Sequence, residues 1–254
     1  MKTLIIANWK SNPQTAKDAV ALALAVDFGI QKYKKVDVVV ASPFLFISQV
    51  KDVLKSSKLG AQNSFWSGGA YTGEVSPEQL KNIGVEYCIV GHSERRGYLG
   101  ETDGEINKKV KALLKNKLKV ILCVGEKERV GKDIPEIVGE QLKKSLDGVK
   151  SSEVLNLIVA YEPVWAISTN PGARPDTPAN AFQAMLYIRR ILTDIYGKPT
   201  AVKIKIIYGG SVNSQNISGF LKEGRMEGAL VGGASLKAEE FVEVVKIANQ
   251  TNQE

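Results

Sequence analysis

A series of short, β-branched apolar runs, separated by helical patterns, extends along all 254 residues and constrains the fold more than any other feature. Strands are predicted at Thr3–Ala7, Val36–Ala41, Lys58–Gln62, Tyr87–Val90, Lys119–Val124, Asn156–Tyr161, Lys203–Tyr208 and Gly228–Val231. Most of these runs are continuously apolar rather than alternating. That is the pattern of strands buried on both faces, which belong to parallel sheets covered by helices. Between them, Ile106, Val110, Leu113 and Leu114 recur at helical spacing, as do Ala181, Met185, Ile188, Leu192 and Ile195, and Phe241, Val244, Val245 and Ala248. Lys17 to Ala25 is a further helix, and Thr177-Pro178 reads as an N-cap followed by proline at the first helical position. Eight strand–helix units in about 250 residues make this an α/β chain of the (β/α)8 barrel type. It reads as a single domain over 1–254, with a polar C-terminal tail after about residue 249 that is expected to fray. A doubly wound open sheet is the rival. It usually has fewer strands and often a Gly-rich first turn, whereas here that turn is Asn8-Trp9-Lys10-Ser11-Asn12.

Lys and Arg exceed Asp and Glu by 34 to 27, a net charge of +7. The excess is spread through Lys32/Lys34/Lys35, Lys108/Lys109/Lys111 and Lys143/Lys144, which read as solvated helix faces. Without aromatic interleaving or a binding module, no nucleic-acid partner is expected. A mildly positive field would attract an anionic metabolite. Cys88 and Cys123 sit in apolar strand runs and read as buried thiols of a reducing compartment rather than a disulfide. The N-terminus lacks the pattern of a signal peptide and no run approaches membrane-spanning length, so a cytoplasmic location and no membrane partner are expected.

In a barrel of this kind the working residues lie where strands end, at the C-terminal face. Asn8 and Lys10 follow the first strand, Gly91-His92-Ser93-Glu94-Arg95-Arg96 the fourth, and Glu162 closes the sixth. Tyr208-Gly209-Gly210-Ser211-Val212 follows the seventh and Gly232-Gly233-Ala234-Ser235 the eighth. His92 is the only histidine, so a zinc site is not expected; it is either a satisfied core residue or an acid–base group. Ser93 adjoins it, but no separate elbow motif supports serine nucleophilic catalysis. Glu162 ends the apolar run Leu157–Ala160, with Pro163 and Trp165 behind it. A carboxylate so enclosed suits a general base, the alternative being a structural salt bridge at the barrel mouth. Lys10 is either a surface lysine or a cation facing a phosphate or oxyanion. Glycines at strand ends seven and eight let backbone N–H groups approach an anion, the place where such barrels often bind phosphate; the alternative is two tight turns.

Taken together, Asn8-Trp9-Lys10, Thr72–Ser76, Val90–Arg96, Ala160–Ile167, Tyr208–Val212 and Leu230–Leu236 resemble the triosephosphate isomerase family, in order and over essentially the whole chain. The resemblance implies a TIM barrel that interconverts dihydroxyacetone phosphate and D-glyceraldehyde 3-phosphate through an enediolate, in glycolysis and gluconeogenesis. It implies Glu162 as base, His92 as neutral electrophile, Lys10 and Asn8 facing the enediolate, and Glu94 close to Lys10. Main-chain N–H groups of Ser211, Gly232, Gly233 and, on the lid, Ser168 would hold the phosphate, with no metal or organic cofactor. Pro163-Val164-Trp165 would be the first hinge of a mobile lid that excludes water. The lid departs from the family's usual Ala-Ile-Gly-Thr-Gly-Lys: Ala166–Asp176 is longer, carries two prolines, and has Ser168 for a glycine. Ala7 and Ser11 likewise stand where Gly and Met are usual. The loop Asn63–Gly73 resembles the segment this family inserts into a neighbouring subunit, with Thr72 reaching that subunit's site, so a homodimer is expected. Another phosphosugar barrel, such as a phosphoribosyl-anthranilate isomerase, would share the glycines but leave Asn8, Lys10, His92 and Glu162 unexplained. A binding barrel without turnover is the third possibility, raised by the altered lid.

Overall fold

The structure is a computed structural model describing residues 2–131, 133–168, 170 and 172–251. Its first half runs β1 (Thr3–Asn8), α1 (Ala16–Ile30), β2 (Val36–Ser42), α2 (Ile47–Val53), β3 (Lys58–Ala61), α3 (Pro77–Asn82), β4 (Tyr87–Val90), α4 (Ser93–Tyr98) and α5 (Asp103–Lys115). The second half runs β5 (Lys119–Val124), α6 (Glu136–Ser145), β6 (Leu157–Tyr161), α7 (Pro178–Tyr196), α8 (Lys198–Ala201), β7 (Lys205–Tyr208), α9 (Ile217–Lys222), β8 (Gly228–Val231) and α10 (Ala238–Thr251). All eight strands are parallel, and β1 pairs with both β2 and β8, which closes the barrel.

The continuous apolar runs are explained by two cores that share one sheet. Along β1, Leu4 and Ile6 point into the barrel with Val39, Ala41, Ile89, Ile121, Cys123, Ile158, Ala160, Ile207 and Leu230. Ile5 and Ala7 point outward to the helices, with Val38, Val40, Val120, Leu122 and Val159. Both faces of each strand are therefore dry, as the period-2 geometry of a covered sheet demands. Cys123 belongs to the inner layer and Cys88 to the outer, so the two thiols lie on opposite faces of the sheet and both are free. Burial pushes both thiols up, away from reactive thiolate.

Thr177 caps α7 as expected, its side chain accepting from Asn180 N–H with Pro178 in the first turn. Two strands begin later than predicted. Asn156 belongs to a 3-10 turn, and Ile204 N–H is bonded to Ala201 O, so both are withheld from the ladder. The C-terminal helix continues through Thr251, past the point where the tail was expected to fray; residues 252–254 lie outside the described residues. Lys109 corrects the picture of solvated lysine faces. It is buried, bonded to Asn63 Oδ1 at 3.0 Å and to the Glu101 carboxylate, whose same oxygen also accepts from Arg95 Nε at 3.2 Å. The helical register gave no sign of this, because Asn63 lies 46 residues away and Glu101 precedes the helix itself.

Asp27, near the end of α1, is 3% exposed and accepts from the backbone N–H groups of Lys55, Ser56 and Ser57 and from Ser57 Oγ. Burial pushes its carboxyl up, but the Ser57 hydroxyl and the three amides outweigh it and hold the group below the usual carboxylate range. A depressed folded-state pKa gives stability that is present above the unfolded value and lost as pH falls through the folded one. Asp27→Ala strands these donors and is expected to cost about 2–3 kcal/mol. In thermal unfolding at pH 7 the variant should melt roughly 5–10 °C lower. The deficit should shrink towards pH 3; a pH-independent deficit would mean that packing, not the carboxylate, holds this loop.

Candidate active site

The C-terminal strand ends meet in a cavity of about 270 Å3 lined by Asn8, Lys10, His92, Ile167, Ser168, Gly209–Asn213, Leu230 and Gly232–Ala234. Its size suits a small metabolite rather than a nucleotide. Asn8 ends β1, and its Oδ1 accepts the Lys10 N–H at 3.1 Å. This turn holds Lys10 at φ 53°, left-handed territory that a lysine enters at a cost of about 1–2 kcal/mol. Lys10 Nζ lies 2.6 Å from Glu94 Oε1, the ion pair being partly exposed.

His92 is the N-cap of α4, and its Nδ1 accepts the Glu94 N–H at 3.2 Å. An Nδ1 that accepts carries no proton, so the ring is the neutral Nε2–H tautomer. Glu162, 1% exposed, follows β6; its N–H donates to Val124 O and its Oε2 accepts the Ser93 N–H at 2.8 Å. Glu162 Oε1 sits 3.1 Å from His92 Nε2, but the two are not aligned as a hydrogen bond, and this oxygen has no donor among the described residues. The carboxylate lines the neighbouring cavity of about 500 Å3 rather than the smaller one. It therefore has to turn off the Ser93 amide to reach a ligand in the 270 Å3 cavity. Glycine backs it on two sides. A Cβ on Gly125 would lie 1.7 Å from Glu162 O, and one on Gly209 would lie 2.8 Å from Glu162 Cγ.

The N–H groups of Ser211, Gly232 and Gly233 donate to no protein group among the described residues, although all three residues line the cavity. A row of open amides with Lys10 beside Gly232 suits an anion. Ser168 N–H donates to Ser211 Oγ at 2.7 Å, and that hydroxyl donates to Ala166 O at 2.8 Å. A phosphate contact from Ser168 thus has to share or exchange that bond. Thr169 and Pro171, in the segment expected to form the lid, lie outside the described residues. Thr72, expected to reach a neighbouring subunit's site rather than this one, is exposed on the loop between β3 and α3. In that loop Phe65 stacks on Trp66 at 3.8 Å, with Tyr71 at 4.6 Å, so the aromatics partly cover one another and set the loop's shape.

Behind the lid lies a group that the sequence does not announce. Glu126 Oε1, after β5, accepts from Tyr161 OH at 2.8 Å, Trp165 Nε1 at 3.0 Å and Arg129 Nε at 3.1 Å, while Arg129 Nη2 donates to the Tyr161 hydroxyl. Its one available signal was position at a strand end. No group of three or more His, Cys, Asp or Glu side chains able to hold a metal occurs among the described residues. Nor is any helix among them long and apolar enough to cross a membrane.

Fold and site together define a (β/α)8-barrel enzyme in which a buried carboxylate and an imidazole adjoin a cavity lined by open amides. The sequence model of the triosephosphate isomerase family matches residues 3–248. Proteins named triosephosphate isomerase from Caldanaerobacter subterraneus subsp. tengcongensis and Dehalococcoides mccartyi are 45% and 44% identical, over 96% and 98% of this chain and 98% and 97% of their own. One from Lactiplantibacillus plantarum is 41% identical over 98% of this chain and all of its own length. The chain belongs to the triosephosphate isomerase family and is an isomerase.

Proposed function

We propose that Glu162 removes a proton from C1 of dihydroxyacetone phosphate and returns one to C2, yielding D-glyceraldehyde 3-phosphate in glycolysis and the reverse in gluconeogenesis. The observation that carries this reading is the meeting of Asn8, Lys10, His92, Ser211, Gly232 and Gly233 around one cavity, with Glu162 Oε1 3.1 Å from His92 Nε2. The Nε2–H of His92 polarises the carbonyl and moves a proton between the two oxygens of the enediolate. This division between carboxylate base and neutral imidazole is the one for which the family is known. The Lys10 ammonium and Asn8 face the oxygen on which charge develops, where a fixed cation acts most strongly in the transition state. The amides of Ser211, Gly232 and Gly233, with that of Ser168, hold the phosphate at the far end. Turning Glu162 off the Ser93 amide gives up a hydrogen bond to a charged group, of order 1.5–3 kcal/mol. Substrate binding offsets it. A coupled assay with D-glyceraldehyde 3-phosphate tests the reading: steady formation of dihydroxyacetone phosphate is expected, and a rate equal to the uncatalysed background overturns it.

The working form is a homodimer acting in the cytoplasm. A third cavity, of about 400 Å3, opens beside the site between Asn8, Lys10, Phe44, Gln62, His92, Glu94, Tyr98 and Leu99. Tyr98 and Leu99 are 76% and 65% exposed, and neighbouring Leu45 81%. An apolar hollow so close to Lys10 and His92 suits the partner's loop, with Thr72 at its tip. Sedimentation is expected to give about twice the chain mass of 27.6 kDa. Replacing residues 66–72 by a short Gly/Ser link should give a monomer with at least ~10-fold lower kcat, since the site would lose its outer wall. A wild-type monomer of full activity overturns the dimer.

A further inference from the structure

The segment that departs from the family's lid pattern carries its own fastening. The Arg174 guanidinium lies over the Trp165 ring at 4.9 Å, and its Nη2 donates to Arg129 O at 2.9 Å. Its backbone N–H donates to Trp165 O at 3.1 Å. The Arg129 guanidinium lies 5.6 Å from the same indole, which also donates to Glu126. One arginine therefore meets the first hinge through ring, carbonyl and the neighbouring loop at once. Two residues on, Asp176 Oδ2 accepts from the buried Tyr208 hydroxyl at 3.0 Å and Asp176 Oδ1 accepts the Thr177 N–H at 2.8 Å. The far end of the lid is thereby tied to the end of β7. Asn170 Nδ2 adds a bond to Val164 O at 2.8 Å.

We propose that Arg174 is a positioning residue for the lid, fixing Trp165 and through it the hinge that bears the Ser168–Ser211 contact over the phosphate pocket. The planar fork of arginine suits the task because it can lie on an indole and donate to a carbonyl at the same time. The inference rests on the triose phosphate reading, since what the lid protects is the enediolate. An enediolate exposed by a loose lid breaks down. Its C1 oxygen re-forms a carbonyl, the C1–C2 pair moves to C2–C3, and the C3–O bond breaks to release inorganic phosphate. The remaining enol takes up a proton at C3, loses the one on its C2 hydroxyl and becomes methylglyoxal.

The test is the ratio of methylglyoxal formed to triose phosphate isomerised, in the wild-type enzyme and in Arg174→Ala and Arg174→Lys. With the enzyme-free background subtracted, this ratio does not depend on the fraction of folded enzyme, so a merely structural loss leaves it unchanged. Arg174→Ala is expected to raise it at least ~10-fold, and Arg174→Lys, which keeps a cation over the ring without the fork, to fall between. Arg174 is a surface residue, and far-ultraviolet circular dichroism should match the wild type. A ratio unchanged in Arg174→Ala, with the wild type isomerising normally, overturns this inference alone. A wild type that does not isomerise overturns the underlying reading and this inference with it.

Discussion

Replacing Glu162 by alanine is expected to lower kcat at least ~10²-fold, the smaller end of what a positioned general base contributes. The KM should change little, because the open amides proposed to hold the phosphate, and Lys10, lie on other strand ends. Glu162→Asp separates reach from charge. It keeps the carboxylate but draws it back by about one methylene, and an error of about 1 Å is enough to cost ~10² in rate. Stability should move the other way. The native carboxylate is 1% exposed with one aligned donor, the Ser93 amide, and its second oxygen has none. A buried charge so sparsely partnered is held at some cost to the fold. Glu162→Gln should therefore melt no lower than the wild type while losing turnover. Near-normal kcat in Glu162→Ala would remove the base from the mechanism and leave Glu162 as a structural carboxylate.

The barrel was legible because burial on both faces writes each strand as an unbroken apolar run. β4, β5 and β8 start and stop where predicted, since each is bounded by turn residues. β6 and β7 start late because turn hydrogen bonds, which leave no mark in hydrophobicity, claim Asn156 and Ile204. In the site, a polar side chain at the end of an apolar run is conspicuous, and Asn8, Lys10, His92 and Glu162 were all of that kind. Ser93 was visible but for the wrong reason. Its hydroxyl invites thoughts of a nucleophile, whereas its main-chain N–H is what holds Glu162. Glu126, Arg129 and Tyr161 form one unit only when strands and loops come together, as do Lys109, Glu101 and Asn63. Tyr161 and Asn63 lie 35 and 46 residues from Glu126 and Lys109, and no spacing rule reaches such pairs.

Lys10→Gly offers the sharpest separation of function from fold. Loss of one preorganised group facing a developing oxyanion typically costs ~10²–10³ in kcat. Because Lys10 also adjoins Gly232 in the pocket proposed for the phosphate, KM should rise as well, so kcat/KM falls further than kcat. Three small terms decide the stability. Glycine relieves the left-handed φ of 53°, gaining about 1 kcal/mol. It loosens the unfolded chain, losing about 0.4–1 kcal/mol. It also removes a partly exposed ion pair with Glu94 that contributes about 0–1 kcal/mol. These nearly cancel, and urea denaturation should place the variant within about 1 kcal/mol of the wild type. Lys10→Ala keeps the backbone strain and loses the same charge, so it should match the glycine variant in kcat while being the less stable of the two. Retained turnover in both would return Lys10 to the surface. A destabilisation of several kcal/mol would make its Glu94 pair a structural tie. The left-handed φ of 53°, costly for a lysine, is the observation that favours the proposed role of the ammonium over both outcomes.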